Sequence, residues 1–468
     1  MDRKKELVKN TAILTVGKMC TQFIGFFLLP LYTAVLDTAE YGTFDLMISY
    51  GTLLIPLINW QLDQGMFRFL IDSRGNLERQ KKIFSSIFTA NVIQVSLFCF
   101  AMLLVNRFIK NREMLFLCAY VVLSVFTSLL LQFTRGIGNN KIYALSSFIS
   151  ATSTIILNIL FLGVLKLQLK GLFLATIMAS IITICYLVIR IKPYKFFSVA
   201  KIDKETLKDI QKYSIPLVPN NLAWWVVNVS DRSIISYVLG VASNGIYTVA
   251  NKFSNLFITF YNIFNLSWTE SVSLHFNDED RDDFLMETIN VLFGIFAGAC
   301  LIIVAFMPFV FPHLVNVKYI AAYPQIIILM YAMLFRVFQG LYSCIYIAMK
   351  DSKKVATTSM ASAIINIVVD VSLIRFVGLY AASISTLAAF GSMAIIRYID
   401  INKYVRMRIS PRVLISTSLM ALILFVTYNM NVFFVNVVMA IVVLVFAFVL
   451  NIDFIKGGYK AILEMVKK

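Results

Sequence analysis

Apolar runs of about twenty residues recur along the whole chain, separated by short polar or charged stretches. Coiled as an α-helix, a run of about that length matches the hydrocarbon thickness of a bilayer. The pattern predicts fourteen spans, near residues 11–36, 41–62, 83–106, 114–134, 142–166, 171–190, 213–238, 245–273, 285–312, 322–349, 354–375, 378–401, 412–430 and 432–453. The first follows a basic start, Met-Asp-Arg-Lys-Lys, yet it is longer than the apolar core of a cleavable signal, so it reads as a retained span. Several spans carry polar residues at helical spacing: Thr11, Thr15, Lys18 and Gln22 in the first, Asp45, Ser49, Thr52, Asn59 and Asp63 along the second. Asn221, Asn228 and Asp231 do so in the seventh, Lys252, Asn255 and Thr259 in the eighth, and Ser362, Asn366 and Asp370 in the eleventh. One stripe of each such helix is wet or faces a partner helix, and the Ser, Thr and Asn positions suit either interhelical hydrogen bonds or a cavity wall.

Composition agrees with a multi-pass membrane protein. Of 468 residues, 59% are hydrophobic and 14% charged, so the spans leave only short connections and no separate catalytic domain. The net charge of +17 reports topology rather than nucleic-acid binding, because of where the cations sit. With the N-terminus in the cytoplasm, 31 loop Lys and Arg fall on the cytoplasmic side and 7 on the other, which places both termini inside. The segment from Arg107 to Arg112, with three basic residues outside, fits least well. Four cations remain at membrane depth: Lys18, Arg232, Lys252 and Arg336.

The chain also repeats itself. Val35-Leu36-Asp37-Thr38-Ala39-Glu40-Tyr41-Gly42 reappears 203 positions later as Val238-Leu239-Gly240-Val241-Ala242-Ser243-Asn244-Gly245. Gly171-Leu172-Phe173-Leu174-Ala175-Thr176 is echoed 207 positions on by Gly378-Leu379-Tyr380-Ala381-Ala382-Ser383. Two echoes in order at nearly one offset imply two halves of six spans, and an even number inserts both halves the same way round. Such parallel repeats build transporters that alternate access to a site between the halves. The expected organisation is an N-terminal six-helix lobe over 1–192, a basic cytoplasmic linker over 193–212 that suits an amphipathic interfacial helix, a second lobe over 213–402, and two further helices with a cytoplasmic tail over 403–468.

Charges at membrane depth carry the chemistry. A Lys, Arg or Asp at the bilayer centre costs about 2.5–3.5 kcal/mol on insertion scales, so it is kept with a partner or for a purpose. Lys18 lies about 10 Å inside its span at 1.5 Å rise per residue, where it either snorkels or faces a cavity. Arg232 and Lys252 match in depth, and an Asp231–Lys252 ion pair competes with a role in binding. Arg336, near the middle of the tenth span, is the best single candidate to contact an anion, since a guanidinium fork suits phosphate oxygens. Asp45, Asp63, Asp231, Glu270 and Asp370 are the candidates to carry a coupling proton or sodium ion. Trp224, Trp225, Trp268 and Tyr261 suit either sugar stacking or packing.

Enzymatic features are missing. The two histidines, His275 and His313, lie near span ends, and no HExxH, GxSxG or P-loop pattern occurs, so neither catalysis nor ATP binding is expected, and no cofactor or metal. The six cysteines form no CxxC pair or Cys/His cluster. The acidic run Asp278-Glu279-Asp280-Arg281-Asp282-Asp283 lacks the glycine and terminal glutamate of a calcium loop and reads as solvated.

A family resemblance gathers these features. Leu29-Pro30-Leu31-Tyr32-Thr33 with Glu40-Tyr41-Gly42, then Arg135-Gly136-Ile137-Gly138, then Tyr213-Ser214-Ile215-Pro216-Leu217-Val218-Pro219-Asn220, with Ser230-Asp231-Arg232 and Asn244-Gly245-Ile246-Tyr247, resemble the bacterial polysaccharide-biosynthesis flippases of the O-antigen and capsule type. The similarity covers about residues 5–400. It implies an all-α integral membrane fold of the MATE-like multidrug/oligosaccharidyl-lipid/polysaccharide exporters: two six-helix lobes in a V with two extra C-terminal helices. It implies an undecaprenyl-diphosphate-linked oligosaccharide as substrate, turned from the cytoplasmic to the outer leaflet of the bacterial cell membrane. A cationic central cavity would receive the diphosphate, with Lys18, Arg232, Lys252 and Arg336 as the matching positions and Gln22, Asn228 and Asn255 beside them. Membrane lipids, and a polysaccharide polymerase or export machinery, are the implied partners; an ion-coupled multidrug exporter of the same fold is the alternative.

Overall fold

The computed structural model describes residues 25–349, 351–406, 409–430, 432–452 and 454–456. They form α1 (Leu29–Val35), α2 (Thr38–Asn59), α3 (Leu62–Ile71), α4 (Leu77–Ile109), α5 (Glu113–Gly136), α6 (Asn140–Asn158), α7 (Gln168–Ile191), α8 (Lys204–Ser214) and α9 (Leu217–Val238). There follow α10 (Val241–His275), α11 (Arg281–Leu314), α12 (Tyr323–Ala348), α13 (Ser352–Val377), α14 (Tyr380–Ile401), α15 (Pro411–Met430) and α16 (Phe433–Leu450). No strand occurs among the described residues. A bilayer offers the backbone no water, so helices that satisfy their own amides are the expected solution.

Eleven of the described helical segments are long and apolar enough to cross a membrane. Of the fourteen expected spans, the first lies largely outside the described residues, and the seventh and eighth form the helices α9 and α10 but are too polar to reach that standard. Their polar residues, among them Asn221, Asn228, Asp231, Arg232 and Lys252, lower the average.

The chain divides into two compact units, Met1–Gly245 and Ile246–Lys468. In the first, α6 packs on α7, α5 on α3, α7 and α2, and α9 on α2. Its core gathers Leu62, Met66, Ile83, Phe84, Ile87, Leu129, Leu130, Phe133 and Ile210. A second cluster, Val95, Leu117, Val121 and Val125, lies among Ile55, Ile58 and their neighbours. In the second unit α14 packs on both α12 and α13, and α11 on α12, α15 and α16. Large apolar side chains such as Phe100, Leu103, Phe433 and Phe434 point outward, as lipid-facing surface does.

Local sequence explains several joints. Asp37 and Glu40 form a capping box at the start of α2, with the Asp37 amide donating to Glu40 Oε2 at 3.0 Å. Arg74 donates to the carbonyls of Gly136 (2.9 Å) and Arg135 (3.1 Å) and so caps the end of α5, where Gly138 adopts φ +90°. That end is the Arg-Gly-Ile-Gly motif of the sequence. Residues 193–212 are not a loose tether: Ser85 holds Ser198 N and Phe196 O, and Ser86 holds Asp203 N and O. The amphipathic helix expected there forms as α8, and buries Ile210 against α3 and α4.

Candidate functional site

Lys18 and Gln22 lie outside the described residues. The other three deep cations differ in their surroundings. Arg232, on α9, donates from Nη1 to Asp45 Oδ1 at 3.0 Å and to Ser49 Oγ at 3.2 Å, both on α2. Two turns earlier on α9, Trp225 Nε1 donates to the Ser49 carbonyl at 2.9 Å. Asp45 and Ser49 are one turn apart on α2, so both contacts share one face. The ion pair keeps only 17% and 11% of its two side chains exposed, which makes Arg232 an interhelical tie.

Arg336, on α12, is half-buried. Its guanidinium carbon stands 5.5 Å from the centre of the Phe390 ring, and Nη1 donates to the Met333 sulfur at 4.0 Å. Among the described residues no carboxylate lies within ion-pair distance of it. One turn on, Gly340 lets α12 approach α10 so closely that a Cβ there would meet the Tyr261 hydroxyl at 2.1 Å. The cation–π contact and burial hold the guanidinium against α14.

Lys252, on α10, is half-buried, and Asn255 is exposed. Asn228 donates to the carbonyl of Trp224 at 2.7 Å. Of the four aromatics, Trp224 is exposed, whereas Trp268 and Tyr261 are packed inside, with Trp268 Nε1 donating to Leu341 O at 3.3 Å. Among the five acids, Asp45 is engaged by Arg232 and Glu270 is exposed, while Asp63, Asp231 and Asp370 are buried at 4%, 7% and 0% exposure. The acidic run is solvated: Asp278 meets His275 Nδ1 at 2.6 Å, and Asp282 holds Arg281 and the amide of Arg406.

A further deep cation, Arg397, is not among the four that the apolar pattern marks. It is 1% exposed, on α14. Nη1 donates to the carbonyl (3.1 Å) and side-chain oxygen of Gln339 on α12. Nε donates to Thr358 Oγ1 (3.0 Å), and Nη2 to Val355 O (3.2 Å) and Ser359 Oγ (3.1 Å), all on α13. The only sequence signal was its position four residues inside the end of an apolar run, among Ile395, Ile396 and Ile399. The second unit also holds an apolar cavity of about 580 Å³, walled by Phe293, Tyr331, Phe335, Phe338, Tyr342 and Phe425 among others.

The fold is that of known transporters. The lipid II flippase MurJ in an inward closed conformation superposes with a TM-score of 0.69 at 16% identity, over 95% of this chain and 100% of that one. An inward-facing multidrug resistance MATE family transporter of the MOP superfamily gives 0.67 at 13% identity, over 81% and 93%. An outward-facing MATE transporter gives 0.58 at 14%, over 85% and 95%. No curated protein matches significantly. The family model for polysaccharide biosynthesis proteins matches residues 7–268, more than half of the chain. On that match, and with a multi-pass fold that agrees with it, the chain belongs to the polysaccharide biosynthesis protein family.

Proposed function

We propose that this protein is a flippase for a lipid-linked oligosaccharide, moving an undecaprenyl-diphosphate-linked glycan from the cytoplasmic to the outer leaflet by alternating access. The reading rests on one observation above all: Arg336 is a half-buried guanidinium in a membrane helix, with a sulfur and an aromatic ring beside it and, among the described residues, no carboxylate within ion-pair distance. A cation at that depth is costly, and an arriving diphosphate would supply the missing counter-charge. Membership of a polysaccharide biosynthesis family supports a glycan cargo. In this reading Lys18 and Lys252 add positive potential along the route, Gln22, Asn228 and Asn255 bond sugar hydroxyls, and the isoprenoid tail stays in lipid. Arg232 holds α9 to α2 and contributes to the field without being open itself. Both termini face the cytoplasm, and a polysaccharide polymerase or export machinery takes the product.

Reconstitution in vesicles with a diphosphate-linked glycan tests the proposal. Wild-type protein should expose the glycan on the opposite leaflet, and Arg336→Ala should reduce that transfer by at least about tenfold while the purified yield stays constant. Transfer unaffected by Arg336→Ala would remove Arg336 from the route. A multidrug exporter is the second reading, favoured by the aromatic-walled 580 Å³ cavity, whose lining suits an apolar compound. Gradient-driven export of a lipophilic cationic dye, with no glycan transfer, would establish that reading instead.

A further inference from the structure

The strap between α7 and α8, residues 192–203, lies at one end of α4, α5 and α7 in the first unit. It leaves α7 after Ile191, and its Phe196 packs edge-on against Phe133, one turn from the end of α5, with ring centres 5.0 Å apart. Two adjacent serines of α4 fix its backbone. Ser85 Oγ donates to Phe196 O at 3.2 Å and accepts from Ser198 N at 2.9 Å. Ser86 Oγ donates to Asp203 O at 3.2 Å and accepts from Asp203 N at 2.8 Å. Both serines stand at the start of the apolar run of α4, just after Lys81 and Lys82. The strap is therefore held at the level where membrane helices pass from hydrocarbon to headgroups.

Its two faces differ. Pro193 is buried and Phe196 packs on the core, whereas Tyr194 and Val199 are 60% and 71% exposed. Tyr194 lies three residues past the end of α7, so at the full reach of an extended chain it is within about 10 Å of that end. The headgroup layer is about 5–7 Å deep on each side of the hydrocarbon, and tyrosine is enriched there. An exposed tyrosine and valine at this depth meet lipid more readily than water.

Positive charge is interleaved with them. Lys192 and Lys195 flank Tyr194 in the chain, and Lys204 follows the strap. All three are exposed, and among the described residues no carboxylate lies within ion-pair distance of any of them. Glu78 is engaged by Lys201 and by Lys81 at 3.3 Å. Asp203 caps α8, accepting from Thr206 N at 3.1 Å. Glu205 and Asp209, exposed on α8, are the other acids of residues 190–214, against seven Lys and Arg.

We propose that the strap is a binding site for anionic phospholipid, with Tyr194 and Val199 seated in the headgroup layer and Lys192, Lys195 and Lys204 on the lipid phosphates. A zwitterionic headgroup carries its own ammonium, which competes with the lysines for its phosphate; a headgroup of net negative charge has no such competitor. Each lysine near an anionic leaflet strengthens binding about fivefold, and salt screens the effect. A soluble acidic partner would satisfy the lysines but would leave the apolar side chains between them in water. Lipid held here braces the strap that ties α7 to α4. The inference goes beyond the proposed transport and does not rest on it, and its test uses no glycan.

Hydrogen exchange decides it, measured on full-length protein in nanodiscs of phosphatidylcholine alone or of equal parts phosphatidylcholine and phosphatidylglycerol. Phosphatidylglycerol should slow exchange over 192–203 by at least about fivefold, and high salt should reverse the slowing. Lys192→Gln combined with Lys195→Gln should abolish the difference between the two lipids, while the protection that Ser85 and Ser86 give at Ser198 and Asp203 persists. Should the double variant fail to fold, Lys195→Gln and the salt series on the wild type decide. Equal exchange of the wild-type strap in both lipids, or a slowing that survives loss of the lysines or high salt, overturns the proposal.

Discussion

Gly42 and Gly245 occupy the same position in the two copies of the repeated motif, and the structure places them against each other. A Cβ on Gly42 would lie 1.9 Å from the carbonyl oxygen of Val241 and 2.8 Å from the nitrogen of Gly245. A Cβ on Gly245 would lie 2.0 Å from the carbonyl oxygen of Thr38 and 3.0 Å from the nitrogen of Gly42. Each glycine thus abuts the backbone four residues before the other, a reciprocal contact of the kind a local two-fold axis generates. Asn244 Nδ2 adds a bond to Gly42 O at 2.9 Å.

Alanine at either glycine should therefore be poorly tolerated. The opposing atoms are backbone and cannot rotate away, and overpacking of this kind costs about 1–3 kcal/mol or more. Gly42→Ala and Gly245→Ala are expected to lower the thermal midpoint in detergent by several degrees, read by static light scattering or intrinsic fluorescence.

Arg232 and Arg336 should separate stability from transport. Removing Arg232 alone strands the Asp45 carboxylate, and breaking a buried pair in this way costs about 3–5 kcal/mol. The double replacement Arg232→Met with Asp45→Leu should recover most of the loss, which a double-mutant cycle in thermal unfolding would read. Arg336→Ala should leave the unfolding midpoint within about a degree of wild type and act on glycan transfer instead.

Arg397 should behave as a structural residue. Its donors reach acceptors on two other helices, α12 and α13, and lysine cannot reproduce that fork. Arg397→Lys is expected to destabilise by about 1–3 kcal/mol for each buried acceptor left unserved. The measurement is denaturant or thermal unfolding, with the transport rate per folded molecule unchanged.

Asp203 gives a pH dependence outside the membrane. Thr206 donates to it from both its hydroxyl and its amide, which holds the carboxyl below the usual carboxylate range and caps α8. A depressed folded value means that the cap contributes fully above the unfolded value of about 4 and is lost as pH falls through the folded one. Hydrogen-exchange protection over 204–214 should therefore fade in strong acid, and Asp203→Ala should show the same loss at neutral pH.

Helix placement could be read from the sequence because apolar runs of bilayer length have few other solutions in a chain this hydrophobic. The Gly42–Gly245 repeat was legible too, as an echo at constant offset, although its being a contact was not. What the sequence hid were relations across distance and local backbone geometry. The acid that meets Arg232 lies 187 positions away on α2, a pairing that no local pattern announces. The break at Trp60 and Gln61 carries no glycine or proline at the break itself, so nothing local announced it. Arg397 was hidden by its place near a helix end, where a charge ordinarily reaches water.

The polarity of α9 and α10 bears on how the chain enters the membrane during synthesis. Neither helix meets the length and apolarity standard for crossing alone, so each should leave the translocon slowly or remain at the surface until earlier segments have inserted. Asp45 and Ser49 on α2 offer α9 the partners that offset its charge. Membrane integration of the middle of the chain is accordingly coupled to prior assembly of its beginning: in ribosome-bound intermediates truncated just after residue 238, α9 should integrate when α2 is intact and fail to when Asp45→Leu and Ser49→Ala remove its partners.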